Sequence, residues 1–547
     1  MITVNQILMD NSSDSNDFDY EAFEKIIGQF KVNKERMSAD EIENELFVTN
    51  IINDFLARDY ISSDFTLNEL TDSFKESVFK NKTSDLKSYL QYLKESVLPN
   101  CINTSSPRFI GHMTSALPVF TKAISKLIAS MNQNTVKMET SKVMTLFERQ
   151  SLAMLHRIIY NFGDTFYDYH IQNKNSTLGI LCSGGTSANI TSLWCAINNA
   201  LGPDGDFKGK EMEGLPAALN YYGYTNAVVI VSSHVHYSFE KAADILGIGL
   251  NNIIKVPDIK DNCMDLQALN QIINKCKEDR KLVISIICVA GATESGNIDP
   301  IEDIAYIAKS HNIHLHVDAA WGGPLVFSDK HRSKLAGIEL ADTVTIDGHK
   351  QLYLPMGTGC LLFKNPALPE AIEKNAQYII RKNTFDLGRR SLEGSRPSMS
   401  LYIHAGFSII GSKGYGMLID EGIRKTKYMA QCIIESSEFE LLFEPQINIL
   451  LYRHIPPQFV EKVRNETLTM GENKIINIHN EQLQKFQRQR GQNFISRTTI
   501  HTERYTKNTP IVALRAVIAN PLTTEADIEA VLDEQIRISR EIDSSNS

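Results

Sequence analysis

Short β-branched runs alternate with segments of helical period between about residues 105 and 415, and no other feature limits the fold as strongly. The runs are STLGILCS, NAVVIVSS, KLVISIICVAG, NIHLHVDAA and ADTVTID, and segments such as PIEDIAYIAKSHN separate them. This alternation is typical of βαβ units, in which helices cover both faces of a parallel sheet. We therefore predict an α/β fold with ligand-binding residues just beyond the carboxyl ends of the strands.

Two regions of different pattern flank this block. The N-terminal side begins with a polar, acidic stretch and continues with apolar residues at helical spacing. On the C-terminal side, PIVALRAVIANPLTTEADIEAVLDEQI predicts a strand, a turn and a helix with Thr523 or Thr524 as its N-cap, and the polar stretch 459–508 is expected to be an insertion or a mobile segment. We thus predict a flexible acidic head, a helical N-terminal region, a large domain and a small α+β domain at residues 1–20, 21–104, 105–415 and 416–547.

Composition restricts the partners and the compartment. The chain has 56 Lys and Arg against 65 Asp and Glu, and a net charge of -9 argues against a nucleic-acid or anionic-membrane partner. Its eight cysteines include no Cys-x-x-Cys pair and several lie in apolar runs, as reduced thiols do. The N-terminus lacks the pattern of a signal peptide, and no apolar run approaches the roughly 18 residues of a membrane span. We expect a soluble, cytoplasmic protein.

Two strand ends carry residues suited to ligand binding. After STLGILCS the chain reads Ser183-Gly184-Gly185-Thr186 and then enters a helical pattern. A glycine pair lets the backbone approach a ligand, and a helix N-terminus attracts anions, so this turn is a candidate phosphate site, although an ordinary tight turn explains it equally well. After NAVVIVSS comes His236, whose imidazole can stack on a planar ligand or transfer protons, or can simply bond at the start of a helix.

The strand NIHLHVDAA ends in a carboxylate, Asp318. A buried carboxylate is unfavourable without a cationic partner, and the small residues that follow leave room for a flat ligand. Side-chain alternation also puts His314, His316 and Asp318 on one face, where a two-histidine, one-carboxylate metal site is geometrically feasible. We do not favour a metal, because the faces of a doubly covered sheet must pack and no further histidine or acid is spaced to help.

A lysine, Lys350, follows the run ADTVTID. A desolvated lysine is a nucleophilic amine that forms Schiff bases with carbonyl compounds, including pyridoxal phosphate. That cofactor needs a phosphate site, an aromatic ring against its own ring, a carboxylate that keeps its pyridine nitrogen protonated, and a lysine. Gly185, His236, Asp318 and Lys350 provide these groups in chain order on predicted parallel strands, so the combination indicates a pyridoxal-phosphate enzyme.

The motifs SGGTSANITSL, HYSFEKAADILGIG, HLHVDAAWGGP and DTVTIDGHK resemble those of the group II pyridoxal-phosphate decarboxylases of fold type I, which include glutamate, aromatic-amino-acid and cysteine-sulfinate decarboxylases. The resemblance spans most of the chain. It implies a mostly parallel seven-stranded sheet, a homodimer with its active site at the subunit interface, and pyridoxal 5'-phosphate bound as a covalent aldimine. The cofactor contacts that it implies are Gly184, Gly185, Thr186, His236, Thr293, Asp318, Ala320, Asp347, His349 and Lys350.

The resemblance also implies individual roles around the cofactor ring. His236 would stack on one face of the ring and Ala320 would pack on the other. Asp318 would pair with the ring nitrogen, and Lys350 would form the aldimine.

Further segments resemble the family's substrate-binding parts. PRFIGHM and NQNTVKMETSKVMTLFE are similar to substrate-pocket segments, which implies that His112 and Asn134 lie near the substrate. AQYIIRKNTFDLGRRSLEGSRP resembles the mobile loop and the arginine after it, which implies that Tyr378 is the loop tyrosine and that Arg389 binds the substrate α-carboxylate. Tyr378 is then the first candidate for the proton donor to Cα, and His236 the second.

The expected activity is α-decarboxylation of an acidic L-amino acid. The length and the long N-terminal region resemble the bacterial pyridoxal-dependent aspartate decarboxylases, which implies conversion of L-aspartate to β-alanine and carbon dioxide for pantothenate and coenzyme A supply. L-Glutamate and cysteine sulfinate are rival substrates, since one methylene changes binding by only about 1–3 kcal/mol. The same motifs would also suit a relative with a different reaction, such as transamination or oxidative deamination, or a metal-binding or interaction protein that kept the fold.

Overall fold

The computed structural model describes residues 20–30, 37–78, 84–259, 262–375, 384–502, 504–505 and 509–546. Within these ranges the helices are α1 (Tyr20–Gly28), α2 (Ala39–Ala57), α3 (Leu67–Ser73), α4 (Leu86–Tyr92), α5 (Phe120–Met131), α6 (Met138–Ser141), α7 (Val143–Tyr160), α8 (Asp164–His170), α9 (Gly185–Ala200), α10 (Lys210–Glu213), α11 (Leu215–Tyr221), α12 (Ser238–Ile245), α13 (Leu266–Glu278), α14 (Ile301–Ser310), α15 (Ser400–Ile409), α16 (Gly411–Glu435), α17 (Val460–Arg464), α18 (Met470–Arg490) and α19 (Glu525–Asn546). The strands are β1 (Gly179–Cys182), β2 (Asn226–Ser232), β3 (Ile253–Val256), β4 (Lys281–Val289), β5 (His314–Asp318), β6 (Thr343–Asp347), β7 (Gly359–Phe363), β8 (Phe439–Leu441), β9 (Ile449–His454), β10 (Ser496–Thr502) and β11 (Thr509–Val517).

The chain forms two compact units, one of Met1–Arg58 with Lys75–Asn100 and one of Asp59–Phe74 with Cys101–Ser547. The first unit contains α1, α2 and α4. A capping box starts α2: the Ser38 hydroxyl accepts from the Glu41 N–H at 3.2 Å, and the Glu41 carboxylate accepts from the Ser38 N–H at 2.6 Å. The helices of this unit follow the apolar spacing of the sequence. The predicted domain limits stay predictions, and the predicted acidic head lies outside the described residues up to residue 19.

The large sheet of the second unit has the strand order β1-β7-β6-β5-β4-β2-β3. The pairings among β2, β3, β4, β5 and β6 are parallel, and β7 runs antiparallel to both β1 and β6. Every residue of β1, β6 and β7 is buried, because helices cover both faces of the sheet. The predicted α/β fold with a mostly parallel seven-stranded sheet is confirmed, and the carboxyl ends of its parallel strands share one edge.

A smaller antiparallel sheet has the order β10-β11-β9-β8, and α16, α18 and α19 pack against it. The helix α19 begins after Thr524: its hydroxyl accepts from the Asp527 N–H at 3.2 Å, and its N–H donates to the Asp527 carboxylate at 3.0 Å. Thr524 is therefore the N-cap, one of the two predicted candidates. The small C-terminal α+β arrangement is confirmed as well.

The stretch 459–508 differs from its prediction as an insertion or mobile segment. Its described residues form α17, α18 and β10, and β10 pairs with β11 along the small sheet. Polar composition was misleading here, because α18 is polar on average yet buries Ile476 and Leu483 completely against its neighbours. Among the described helices, none has the length and apolar character needed to cross a membrane.

Candidate active site

The carboxyl ends of β1, β2, β4, β5 and β6 border a cavity of about 330 Å³. Its lining is His112, Gly184, Gly185, Thr186, Asn189, His234, His236, Tyr237, Val289, Gly291, Thr293, Asp318, Ala320, Trp321, Asp347, His349 and Lys350. All ten residues predicted to contact a cofactor are among them, together with His112. The shared strand edge explains this convergence, since residues far apart in sequence end at the same side of a parallel sheet.

The glycine pair after β1 allows a close approach between two segments. A Cβ atom on Gly185 would lie only 2.8 Å from Oδ2 of Asp347, so any larger residue at the start of α9 would have to displace this carboxylate. The free N–H groups of this helix end face the cavity and suit an anion such as a phosphate. Next to them, the Ser183 N–H and hydroxyl donate to the Glu393 carboxylate at 3.0 and 3.1 Å.

Lys350 and His349 surround the carboxylate of Asp347. The Lys350 ammonium lies 3.1 Å from Oδ2 of Asp347, and the His349 Nε2 atom lies 3.7 Å from the same oxygen. Oδ1 of Asp347 and Nδ1 of His349 are buried and have no hydrogen-bond partner among the described residues. Burial lowers the pKa of His349, although Asp347 acts in the opposite direction. Buried polar atoms without partners indicate a polar ligand. The N-terminus of α9 suits a phosphate and the Lys350 amine suits an aldehyde, so a ligand that carries both groups fits this cavity.

Asp318 ends β5 and faces the same cavity. Its Oδ1 accepts from the Ala320 N–H at 3.2 Å and its Oδ2 accepts from the Asn189 amide at 2.9 Å. Only 6% of Asp318 is exposed, so both oxygens are held by protein donors rather than by bulk water. This carboxylate is oriented and can pair with a protonated ring nitrogen of a planar ligand.

Two histidines line the cavity from other elements. The Ser238 N–H donates to Nδ1 of His236 at 3.2 Å, so the neutral ring carries its proton on Nε2. Burial lowers the pKa of His236, Asp318 raises it and Lys350 lowers it. Partial desolvation and the cations Arg515 and Lys350 lower the pKa of His112. Both rings are therefore neutral and available for stacking or hydrogen bonding near neutral pH.

Two of the predicted site residues that the structure describes, Asn134 and Arg389, do not line this cavity. The Asn134 amide donates to the Ser395 hydroxyl at 3.1 Å, outside the lining. Arg389 is buried, forms an ion pair with Glu373 and donates to the Thr384 carbonyl at 3.1 Å. Tyr378 lies outside the described residues.

A buried arginine beside the cavity, Arg515 near the C-terminal end of β11, was not predicted from the sequence. Its Nε donates to the carbonyl of the lining residue Thr293 at 2.7 Å, and its Nη1 donates to the carbonyl of Gly111 at 3.2 Å. Its Nη2 is buried without a partner among the described residues. Burial lowers the pKa of Arg515 to about 10, so it remains a cation at neutral pH. A sequence signal exists for it: a single charge interrupts the apolar run IVALRAVIA.

The metal hypothesis receives no support. Within the part of the chain that the structure describes, no group of three or more His, Cys, Asp or Glu side chains could hold a metal ion. His316 and His314 instead form hydrogen bonds with hydroxyl groups inside the sheet.

The chain is similar to known proteins along most of its length. The model of the pyridoxal-dependent decarboxylase conserved domain matches residues 70–455. The aspartate 1-decarboxylase of Aliivibrio fischeri is 42% identical over 92% of this chain and 91% of that protein. The L-aspartate decarboxylase of Metarhizium robertsii is 31% identical over 65% of this chain and 67% of that protein. The crystal structure of mouse CSAD has a TM-score of 0.80 at 22% identity, covering 92% of this chain and 99% of that one, which concerns the fold alone.

Proposed function

Because the chain belongs to the pyridoxal-dependent decarboxylase family, and is therefore a pyridoxal-phosphate-dependent carboxy-lyase, we propose that it converts L-aspartate to β-alanine and carbon dioxide. The observation that carries the choice of substrate is the 42% identity over 92% of the chain to an aspartate 1-decarboxylase. The buried cation beside the cavity, Arg515, suits a carboxylate of an acidic substrate.

The lining residues fit the cofactor group by group. Gly184, Gly185 and Thr186 at the start of α9 would hold the phosphate, and Lys350 would bind the aldehyde covalently. Asp318 would pair with the ring nitrogen, with His236 against one ring face and Ala320 against the other. Pyridoxal phosphate, when bound, supplies an electron sink for the electron pair that remains when a bond to Cα breaks.

Arg515 is the group that we propose for substrate carboxylate binding, in the role that the resemblance implied for Arg389. A buried guanidinium whose Nη2 amino group has no partner among the described residues can bind a carboxylate strongly in a desolvated site. Arg389 already has a carboxylate partner in Glu373, whereas the described residues offer none to Nη2 of Arg515. A fixed carboxylate determines which bond at Cα is held for cleavage.

Two residues remain proposed as proton donors to Cα. His236 carries its neutral-state proton on Nε2 and lines the cavity, so it can donate without leaving its position. Tyr378 stays the first candidate from the resemblance to a closing loop, and it acts only after that loop excludes water.

We also propose a cytoplasmic homodimer that supplies β-alanine for pantothenate synthesis. Exposed apolar side chains support an interface near the segments of His112 and Asn134: Val119, Leu127 and Val143 are 82%, 53% and 65% exposed. Light scattering that reports twice the chain mass of 61.5 kDa would support the dimer, and a monomer at working concentration would contradict it.

Spectroscopy and product analysis test the proposed function. The wild type with pyridoxal phosphate should show a visible band that borohydride abolishes, and Lys350→Ala should lack it because no amine remains. Lys364→Ala is the matched control, since this lysine follows β7 and donates to the Leu340 carbonyl outside the cavity lining.

The substrate is then identified by incubation with L-aspartate, L-glutamate and cysteine sulfinate. We expect carbon dioxide and the amine β-alanine from aspartate at the highest kcat/KM. Equal inertness toward all three acids would contradict an acidic substrate, and a keto acid or aldehyde product would contradict simple decarboxylation.

A further inference from the structure

A chain of hydrogen bonds runs from Asp318 through the lining residue Asn189 to His316 in the interior of the large sheet. The Asn189 amide on α9 donates to Oδ2 of Asp318 at 2.9 Å. On the other side of that amide, Oδ1 of Asn189 lies 3.1 Å from Nε2 of His316, which belongs to the same strand as Asp318. Asn189 is 1% exposed and His316 is 0% exposed, so water does not replace these contacts.

The surrounding donors fix the orientation of the Asn189 amide. Its nitrogen donates to the Ser238 hydroxyl at 2.9 Å as well as to Asp318, which uses both N–H groups. Its oxygen accepts from the Thr345 hydroxyl at 2.7 Å. Since an amide oxygen can only accept, the facing Nε2 of His316 must carry the hydrogen.

The other nitrogen of His316 is equally well placed. Its Nδ1 lies 2.9 Å from the Ser192 hydroxyl and 2.8 Å from the Thr343 hydroxyl, and either can donate to it. Burial lowers the pKa of His316 well below its ordinary value, so the ring is neutral with one hydrogen. Every polar atom of His316 and Asn189 thus has a partner, as a buried polar network requires.

The orientation of the Asn189 amide determines whether Asp318 is stabilised as a carboxylate anion or as a protonated acid. If Asn189 were flipped, its oxygen would face Oδ2 of Asp318, which is favourable only when that carboxyl is protonated. In the observed orientation an N–H group faces this oxygen and stabilises the carboxylate anion. The N–H group at Nε2 of His316 needs an acceptor, and Oδ1 of Asn189 faces it only in the observed amide orientation. His316 therefore favours that orientation.

We propose that His316 is a positioning residue for the cofactor: through Asn189 it holds Asp318 as an oriented anion and thereby keeps the cofactor's ring nitrogen protonated. The metal role considered for His316 from sequence is replaced by an electrostatic one. The proposal rests on the pairing of Asp318 with the ring nitrogen, which belongs to the proposed function.

The test uses ¹⁵N NMR of the enzyme reconstituted with pyridoxal phosphate labelled at the ring nitrogen. Two variants differ in the decisive donor: His316→Gln can present its amide N–H near the Nε2 position, whereas His316→Leu has no donor. We expect the wild type and His316→Gln to show a protonated ring nitrogen and His316→Leu to shift toward the unprotonated signal. We also expect kcat for aspartate to fall by roughly tenfold or more in His316→Leu, with KM nearly unchanged, as for outer residues that orient a functional ligand.

Controls separate this role from general packing. Ser285→Ala removes a hydroxyl that contacts His314 and not Asn189, and it should leave the ring-nitrogen signal unchanged. If His316→Leu does not fold or does not bind the cofactor, His316→Asn replaces it, since its shorter amide can reach Ser192 and Thr343 but not Asn189.

Two results would overturn the proposal, and they are distinguishable. A protonated ring nitrogen in every variant that lacks the donor would show that His316 only packs, while the proposed function stands. An unprotonated ring nitrogen in the wild type would contradict the role of Asp318 as well.

Discussion

Single charges inside apolar surroundings define the chemistry of this protein at the scale of residues. Arg515 interrupts an apolar strand and bonds through Nε to the cavity-lining residue Thr293, and its Nη2 has no partner among the described residues. Arg389 has a similar degree of burial but is neutralised by Glu373. Arg515 forms no ion pair among the described residues and is stabilised only at longer range by the charge of Glu294, so it is the better candidate for binding an anionic substrate.

Replacing Arg515 should therefore impair substrate binding more than replacing Arg389. We expect Arg515→Met to lower kcat/KM for aspartate by an amount equivalent to roughly 2–5 kcal/mol, the loss typical of a truncated buried charge pair. Arg389→Met is the matched control: it should reduce the melting temperature because Glu373 keeps only Arg390 as an ion-pair partner, with a smaller change in kcat/KM per folded enzyme. Steady-state kinetics and thermal melts measure both, and the reverse pattern would restore Arg389 as the carboxylate-binding residue.

At the scale of elements, the junction between β1 and α9 forms a glycine-rich part of the cavity wall, which is the proposed phosphate site. The turn after β1 needs glycine because the start of α9 lies against Asp347 at the end of β6. The adjacent strand β7 imposes a second restriction, since a Cβ atom on Gly359 would lie 2.5 Å from the Gly184 Cα. Antiparallel β7 thus packs the glycine turn tightly between two strands.

An added methyl group at this junction should weaken cofactor binding. We expect Gly185→Ala to weaken the binding free energy of pyridoxal phosphate by about 1–3 kcal/mol, the usual effect of overpacking, because the new methyl group displaces Asp347. The dissociation constant should rise accordingly. Gly163→Ala is the control, since a Cβ atom there would meet nothing within 4 Å. Fluorescence titration of the apoenzyme gives both constants, and equal affinities would contradict the close approach.

Buried histidines link the stability of the larger unit to pH. His156 is 0% exposed: its Nδ1 lies 3.0 Å from the Tyr167 hydroxyl and its Nε2 lies 3.0 Å from the Phe363 carbonyl, so it joins α7 to β7. Burial lowers the pKa of His156 to about 4. In the unfolded chain a histidine has a pKa of about 6.5.

Acid should therefore destabilise the fold through His156. Between pH 6.5 and about 4, His156 is mostly protonated in the unfolded chain and mostly neutral in the folded chain. The free energy of unfolding therefore falls as pH falls across this window, by up to roughly 3 kcal/mol. Above pH 6.5 this contribution is constant. We expect His156→Gln to lower the midpoint of urea unfolding at pH 7.5 yet to lose less stability than the wild type on going to pH 5. If the free energy of unfolding depended on pH equally in the wild type and in His156→Gln, His156 would not cause the loss of stability in acid.

Sequence alone was sufficient to predict the large sheet and which residues line its cavity. Strands of buried β-branched residues separated by amphipathic helices permit few arrangements, and parallel strands must end at one edge. Gly185, His236, Asp318 and Lys350 therefore had to meet once their strands were recognised.

Residues whose role depends on distant partners needed the folded chain. The local sequence does not show that Arg389 has Glu373 beside it, that β11 carries Arg515 to the cavity, or that polar α18 buries one face. Likewise, the sequence shows His316 only as one of two histidines in a strand, and the hydrogen bond to Asn189 of α9 becomes visible only in the folded chain. Local patterns dictate strands and helices because each residue's own preferences suffice, whereas charge pairing and hydrogen-bond direction depend on neighbours that only folding brings together.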